Sequence, residues 1–244
     1  MDSDYKDSVL AYFRAKASTY DLVEEQVYWE FSDALLWRCL LRYALDSRSS
    51  GFSFLDAGGG TGRWSFKVLD YFTEAQGVLL DISESMMDQA REKLLGTRVG
   101  RLKLIPGDLD DLPASLHRAS FDVIWNFHNV LGFVEDPSAV ILALAKQLRP
   151  GGQLISFVPN ALHAAYFNVL TNRLAEARSA LETRITSFTP DMPAIRAFTP
   201  RSLREIYEAA GLQVQLLTGF PSLVYPALQE TLAQGSSDSR KEHS

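Results

Sequence analysis

The segment Asp56-Ala57-Gly58-Gly59-Gly60-Thr61-Gly62 decides the fold of this chain. It follows an apolar run at residues 52–55, which predicts a buried strand, and it precedes residues 64–69, whose apolar positions have helical spacing. Because glycine lacks a Cβ and accepts positive φ, the turn between them brings the backbone close to a ligand. The segment therefore predicts a nucleotide site of the Rossmann-like kind, although a glycine-rich turn alone fits many such sites.

A second acidic residue lies at the end of the next predicted strand. Residues 77–81, Gly-Val-Leu-Leu-Asp, form a short apolar run that ends at Asp81. An acid about 20 residues beyond the glycines, at the tip of the second strand, is suited to a ribose diol. A carboxylate has the capacity to accept hydrogen bonds from both hydroxyls.

Strand and helix patterns alternate from about residue 52 to about residue 158, which predicts a parallel sheet with helices on both faces. Further strands are predicted at 101–105 and 121–126, a fifth after the turn at 148–152, and another at 212–217. No clear final strand follows the last of these. Either the sheet has six strands, or residues 222–225 form a short seventh.

The remaining segments predict helices around this sheet. Two helices are expected within residues 5–46 and one inserted helix at 161–182. Thr199 and Pro200 fit a helix start, with threonine as the N-cap and proline at the first position.

The fold class is therefore α/β, a Rossmann-like, doubly wound, mostly parallel sheet with an N-terminal helical cap and a helical insertion after the fifth strand. We predict a cap at residues 1–50, a ligand-binding domain at 51–234 and an insertion at about 160–198. The polar tail, 235–244, is predicted to be disordered.

Composition limits the partners. The chain has 244 residues, 46% of them hydrophobic, and a formal net charge of −6. No Lys/Arg cluster stands out, which argues against a nucleic-acid substrate because phosphate contacts need a basic footprint. The single cysteine, Cys39, favours a reducing compartment. The polar start and the lack of a long apolar run predict a cytoplasmic protein without a membrane anchor. The four histidines are scattered and predict no metal site.

Four motifs follow one another at characteristic distances. They are acid-x-Gly-x-Gly-x-Gly at Asp56, Gly58, Gly60 and Gly62, Asp-x-Ser-x-x-Met at Asp81, Ser83 and Met86, Gly-Asp-x-x-x-Leu-Pro at Gly107, Asp108, Leu112 and Pro113, and Leu-Arg-Pro-Gly-Gly at residues 148–152. Together they resemble the class I S-adenosylmethionine (SAM) dependent methyltransferases, from about residue 52 to about 219. The missing final strand departs from that family.

The resemblance implies SAM as the cofactor and assigns its contacts. The residues implied to bind it are Tyr20, Asp56, Gly58, Gly60, Gly62, Asp81, Ile82, Met86, Asp108, Leu109 and Asn126. Ile82 and Leu109 would sandwich the adenine, and Asp108 would accept from its amino group. Asp56 would reach towards the cofactor amine, and Asn126 would hold its amine or carboxylate.

Three residues are candidates for catalysis: His128, Asn129 and Tyr166. His128 and Asn129 follow the fourth strand, on the side where α/β sheets bind ligands. The ordinary pKa of histidine suits His128 to act as a general base, although it also fits a helix cap or a pocket wall. Tyr166 on the inserted helix and Tyr20 before the sheet are expected to close over the sulfonium.

We interpret the chain as an enzyme that transfers the methyl group of SAM to a small molecule, as a monomer or homodimer. An alternative within the same fold is cyclisation of SAM itself to azetidine-2-carboxylate with release of methylthioadenosine, as in the azetidine-2-carboxylate synthases. A SAM-binding module without catalysis is the third interpretation, and the intact glycines and both acids argue against it.

Overall fold

The computed structural model describes residues 3–46, 48, 51–116 and 120–219. Its main sheet has five parallel strands, β1 (Ser53–Ala57), β2 (Gln76–Asp81), β3 (Leu102–Pro106), β4 (Phe121–Asn126) and β5 (Leu148–Ser156). They are ordered β3-β2-β1-β4-β5. The chain runs outward from β1 to β3 and then crosses back to β4, so the switch point where such sheets bind ligands lies between β1 and β4.

Nine helices accompany the sheet in the described residues. They are α1 (Ser3–Lys16), α2 (Val27–Leu40), α3 (Arg63–Tyr71), α4 (Glu84–Lys93), α5 (Val130–Phe133), α6 (Pro137–Ala145), α7 (Ala161–Leu170), α8 (Leu174–Glu182) and α9 (Pro200–Ala209). A 3-10 segment, Ala17–Glu25, joins α1 to α2, and a π turn, Leu41–Leu45, extends α2. None of the described helices is long and apolar enough to cross a membrane.

The alternation of side chains along the strands gives the sheet two apolar layers. Phe54 and Trp125 pack on one face with α2, α3 and α4. Leu55 and Ile124 pack on the other face with α5, α6 and α9. Both faces of the central strands are therefore buried, as in other parallel sheets, and the predicted α/β class is confirmed.

The insertion differs from its prediction. Residues 161–182 form two helices, α7 and α8, because Asn172 adopts a positive φ of 57° and interrupts the run. A two-stranded antiparallel ribbon follows, β6 (Ile185–Thr186) and β7 (Ile195–Arg196). The helix expected at Thr199 and Pro200 is present as α9, where the side chain of Thr199 accepts from the amide of Ser202.

The strand predicted at 212–217 is wrong for the described residues. Residues 212–219 pair with no strand, and β5 has no neighbour on its outer side within the described part of the chain. A strand requires a hydrogen-bonded partner, and the described residues provide none for this segment. The predictions for 222–225 and for the tail at 235–244 lie outside the described residues.

Gly77 in β2 provides a test of this packing. A Cβ at this position would lie 2.2 Å from Cε2 and Cζ of Phe54, whose ring is fully buried and stacks on Trp125 at 4.7 Å. The ring has no room to withdraw, so Gly77→Ala is expected to lower the free energy of unfolding by about 1–3 kcal/mol. Denaturation in urea measures this change.

Gly51→Ala is the matched control for Gly77→Ala. A Cβ at Gly51 would approach the Cβ of Glu74 at an ordinary 3.7 Å. We expect a change within about 0.5 kcal/mol. Equal effects at the two positions would contradict the packing argument.

Candidate active site

A cavity of about 450 Å³ lies at the carboxyl ends of the parallel strands, between the sheet and α1. Strand ends and the loops after them supply its floor, and α1 covers it. The lining residues on which the argument depends are Lys6, Tyr20, Asp56, Gly60, Arg63, Trp64, Asp81, Ile82, Met86, Asp108, Leu109 and His128. Most of the predicted cofactor residues are thus brought together at one edge of the sheet.

The glycine loop closes one wall of the cavity. Gly58, Gly60 and Gly62 have φ values of 81°, 53° and 82°, a region that favours glycine. A Cβ on Gly58 would collide with Val130, and one on Gly62 would collide with Phe66. A Cβ on Gly60 would meet only Oδ2 of Asp81, at 3.9 Å, because it would project into the cavity. Gly60 is therefore the loop residue whose missing side chain leaves room for a ligand.

Asp81 connects the glycine loop to the start of α4. Its Oδ2 accepts from the amide of Gly60, and its Oδ1 accepts from the amide of Ser83, both at 2.8 Å. Burial raises the pKa of Asp81, while these amide hydrogen bonds lower it. Each carboxylate oxygen retains a second acceptor position for a ligand hydroxyl.

Asp56 lies deeper in the same wall. It is almost fully buried, and its Oδ2 accepts from Oγ of Ser65 at 2.7 Å. Burial raises the pKa of Asp56 to about 7, because the hydrogen bond from Ser65 offsets only part of the desolvation. A cation bound beside Asp56 would therefore favour its ionised form.

Helix α1 reaches across the cavity to the loop after β3. Nζ of Lys6 lies 2.5 Å from Oδ2 of Asp108 and 3.8 Å from Oδ2 of Asp110. The hydroxyl of Tyr5 donates to the carbonyl of Ala194. The predicted partner of the adenine amino group, Asp108, is thus already paired with a lysine of the cap.

His128 is placed by an unusual turn after β4. His128 and Asn129 have φ values of 54° and 74°, two consecutive non-glycine residues in the left-handed region. The imidazole lies among the rings of Trp29, Trp64 and Phe157, with centroid distances of 5.4, 5.9 and 5.8 Å. Strained backbone of this kind is concentrated at functional sites.

A buried polar cluster lies behind the ring of His128. Nε1 of Trp64 is 2.8 Å from Nε2 of His128, and Oδ1 of Asp33 is 3.3 Å from the same nitrogen. Arg63 donates to Oδ2 of Asp33 at 2.5 Å. Burial raises the pKa of Asp33, but His128 and Arg63 together hold it below its ordinary value.

Four predicted site residues do not line the cavity. Gly62 caps α3, and Asn129 precedes α5. Tyr166 lies on α7 with half of its surface exposed and does not line the cavity. Asn126 is buried, and its side-chain amide makes no hydrogen bond to a described residue. Tyr20 does line the cavity, where burial raises its pKa to about 12.

Sequence reasoning missed Lys6, Asp33, Arg63 and Trp64. Arg63 and Trp64 directly follow the glycine loop, so their place in the sequence was a usable signal for a position at the cavity. Lys6 and Asp33 come from the cap helices, and no spacing in the sequence relates them to Asp108 or His128.

Residues 54–152 match a family model described as a methyltransferase domain. A ubiquinone/menaquinone biosynthesis C-methyltransferase from Dinoroseobacter shibae is 32% identical over 181 residues, 69% of each chain. A tRNA 5-carboxymethoxyuridine methyltransferase from Escherichia coli K12 is 28% identical over 195 residues, 78% of this chain and 70% of the relative.

Solved structures share the fold. A methyltransferase in complex with the Trm112 methyltransferase activator of Haloferax volcanii superposes with a TM-score of 0.63 at 22% identity, covering 87% of this chain and 81% of that one. A SAM-dependent methyltransferase from Mesorhizobium loti superposes with a TM-score of 0.56 at 18% identity, covering 76% of this chain and 85% of that one.

Proposed function

Because this chain belongs to the class I SAM-dependent methyltransferases, with SAM as its cofactor, we propose that it transfers the methyl group of SAM to a small molecule. The cavity fits that cofactor: Gly60 leaves space against the backbone, and Asp81 offers free acceptor positions. When bound, SAM supplies an electrophilic methyl group on a sulfonium. The chain has to hold the acceptor in line with the S–CH3 bond and exclude water.

The charges around the cavity support a small acceptor over a nucleic acid. Asp81, Asp108, Asp110 and Glu135 line it, and its cations Lys6 and Arg63 are paired with aspartates. The sugar–phosphate backbone of a nucleic acid approaching this edge would meet carboxylates, because both lysine and arginine side chains of the described lining are already paired with aspartates. Nucleic-acid binding relies on the opposite arrangement.

We propose that Asp56, Gly58 and Gly60, which line the cavity, hold the methionine part. Asp81 binds the ribose. Ile82, Met86, Asp108 and Leu109 surround the adenine, and Tyr20 covers the sulfonium. The structure gives Tyr166 and Asn129 no direct role at the cavity, so His128 is the catalytic candidate that we retain.

The test is to incubate the protein with SAM alone, and then with SAM plus either the small-molecule fraction or the RNA fraction of a cell extract. S-adenosylhomocysteine is expected only with the small-molecule fraction. Methylthioadenosine together with azetidine-2-carboxylate from SAM alone would establish the cyclisation instead, and product only with RNA would overturn the small acceptor. A protein that binds SAM and yields no product under any of these conditions would be a binding module.

Asp56 makes SAM binding depend on pH. Its carboxyl group has a pKa of about 7 without a ligand, and the cofactor ammonium favours the ionised form, so binding releases a proton. SAM affinity is expected to increase by up to about tenfold per pH unit as the pH rises towards 7, and then to level off. Calorimetric titrations between pH 5 and 8 measure this dependence.

Asp56→Asn is the control for that pH dependence, because an amide keeps the shape and does not titrate. The variant should show a much flatter profile over the same range. The same slope in both proteins would assign the proton to another group.

A further inference from the structure

Nε2 of His128 has room for one hydrogen, and it has two neighbours with opposite requirements. The indole N–H of Trp64, 2.8 Å away, needs an acceptor. Oδ1 of Asp33, 3.3 Å away, needs a donor. If Nε2 accepts from Trp64, the neutral ring carries its proton on Nδ1. If Nε2 donates to Asp33, the lone pair is on Nδ1. The preferred tautomer of His128 is the one that leaves the less costly set of polar groups without a hydrogen bond.

The cost of an unpaired group decides between these tautomers. Oδ1 of Asp33 is buried and makes no hydrogen bond within the described part of the chain, and Nε2 of His128 lies 3.3 Å from it. Asp33 carries a negative charge, since its pKa lies below the ordinary value, and Arg63 satisfies only Oδ2. Leaving a buried charged oxygen unpaired costs more than leaving an indole N–H unpaired.

His128 lines the cavity, and its other ring nitrogen, Nδ1, is not a buried atom. Asp33 does not line the cavity but a neighbouring cleft, which shares Arg63 and Trp64 with it. Nδ1 makes no hydrogen bond to any described residue. The groups around the ring are Asp33 and Trp29 from α2, Trp64 from α3 and Phe157 after β5, and Arg63 pairs with Asp33.

We infer that Asp33 is a positioning residue that holds His128 as the Nε2–H tautomer, leaving Nδ1 as the general base of the reaction. This inference rests on the proposed function and narrows the acceptor to one whose nucleophilic atom carries a titratable proton, such as a hydroxyl or thiol. The acceptor gives that proton to Nδ1, its electron pair forms the bond to the methyl carbon, and the electrons of the S–CH3 bond remain on sulfur. The imidazolium keeps its Nε2–H on Asp33 and later releases the Nδ1 proton to solvent.

The experiment measures the tautomer directly. Protein labelled with ¹⁵N-histidine gives long-range proton–nitrogen spectra in which protonated and unprotonated ring nitrogens are distinguished, and His128→Gln identifies the signals. We expect Nε2–H in the wild type. In Asp33→Asn the amide can donate to Nε2, so the ratio should shift towards Nδ1–H by at least about tenfold. Trp64→Phe removes the competing donor and should keep Nε2–H.

An Nδ1–H ring in the wild-type protein would overturn the inference and assign Trp64 as the controlling neighbour. An unchanged tautomer in folded Asp33→Asn would also overturn it. The wild-type and Trp64→Phe spectra decide the matter if Asp33→Asn fails to fold. SAM titration of the wild type separates the two proposals, because absent binding refutes the proposed function without altering the tautomer.

Discussion

Gly60→Val is expected to abolish measurable SAM binding, a loss of at least about 100-fold. Two effects act together. A β-branched residue at a φ of 53° is strained by about 1–3 kcal/mol. The side chain would also project into the cavity, since a Cβ there meets no atom closer than Oδ2 of Asp81 at 3.9 Å. Titration calorimetry gives the affinity, and circular dichroism reports whether the fold is retained.

Gly151→Val separates strain from obstruction. Gly151 has a φ of 77°, and a Cβ there would meet nothing within 4 Å. It lies in the irregular first part of β5 and does not line the cavity. The variant should lose stability comparable to Gly60→Val and keep its SAM affinity. If the two variants bind SAM equally, Gly60 does not face the cofactor.

The local parts of the site could be predicted from the sequence. The glycine turn, Asp81 and the strand ends were accessible because each depends on residues close together in the chain. Once a strand–turn–helix unit is recognised, the parallel sheet brings the ends of its strands to one edge without further information. The start of α9 was predictable for the same reason, because an N-cap is a contact within one turn.

The contacts of the cap could not be predicted. Lys6 contacts Asp108 only because α1 folds back over the sheet. In the same way, Asp33 lies beside His128 only because of the position of α2. The exposure of Tyr166 has a similar cause. It depends on the break in the insertion at Asn172 and on the path of α7, and both are determined by tertiary structure. Helical spacing indicates which residues share a face, but not what that face meets.

Asp81→Ala is expected to weaken SAM binding by about tenfold or more, since losing a hydrogen bond to a charged group costs about 1.5–3 kcal/mol. Two losses contribute. The ribose loses its acceptor, and the amides of Gly60 and Ser83 lose theirs, so both loops around the cavity are loosened. Calorimetry on the folded variant gives the total. Unchanged affinity would remove Asp81 from the site.

A ligand change isolates the ribose contribution. S-adenosylhomocysteine and its 2′-deoxy analogue differ by one hydroxyl, and the loops are the same for both. If Asp81 accepts from that hydroxyl, the wild-type protein should prefer the complete ligand by about tenfold. Asp81→Ala should bind the two almost equally, although more weakly than the wild type binds either, because its loops have lost their shared acceptor. Equal discrimination in both proteins would mean that Asp81 acts only by holding the loops.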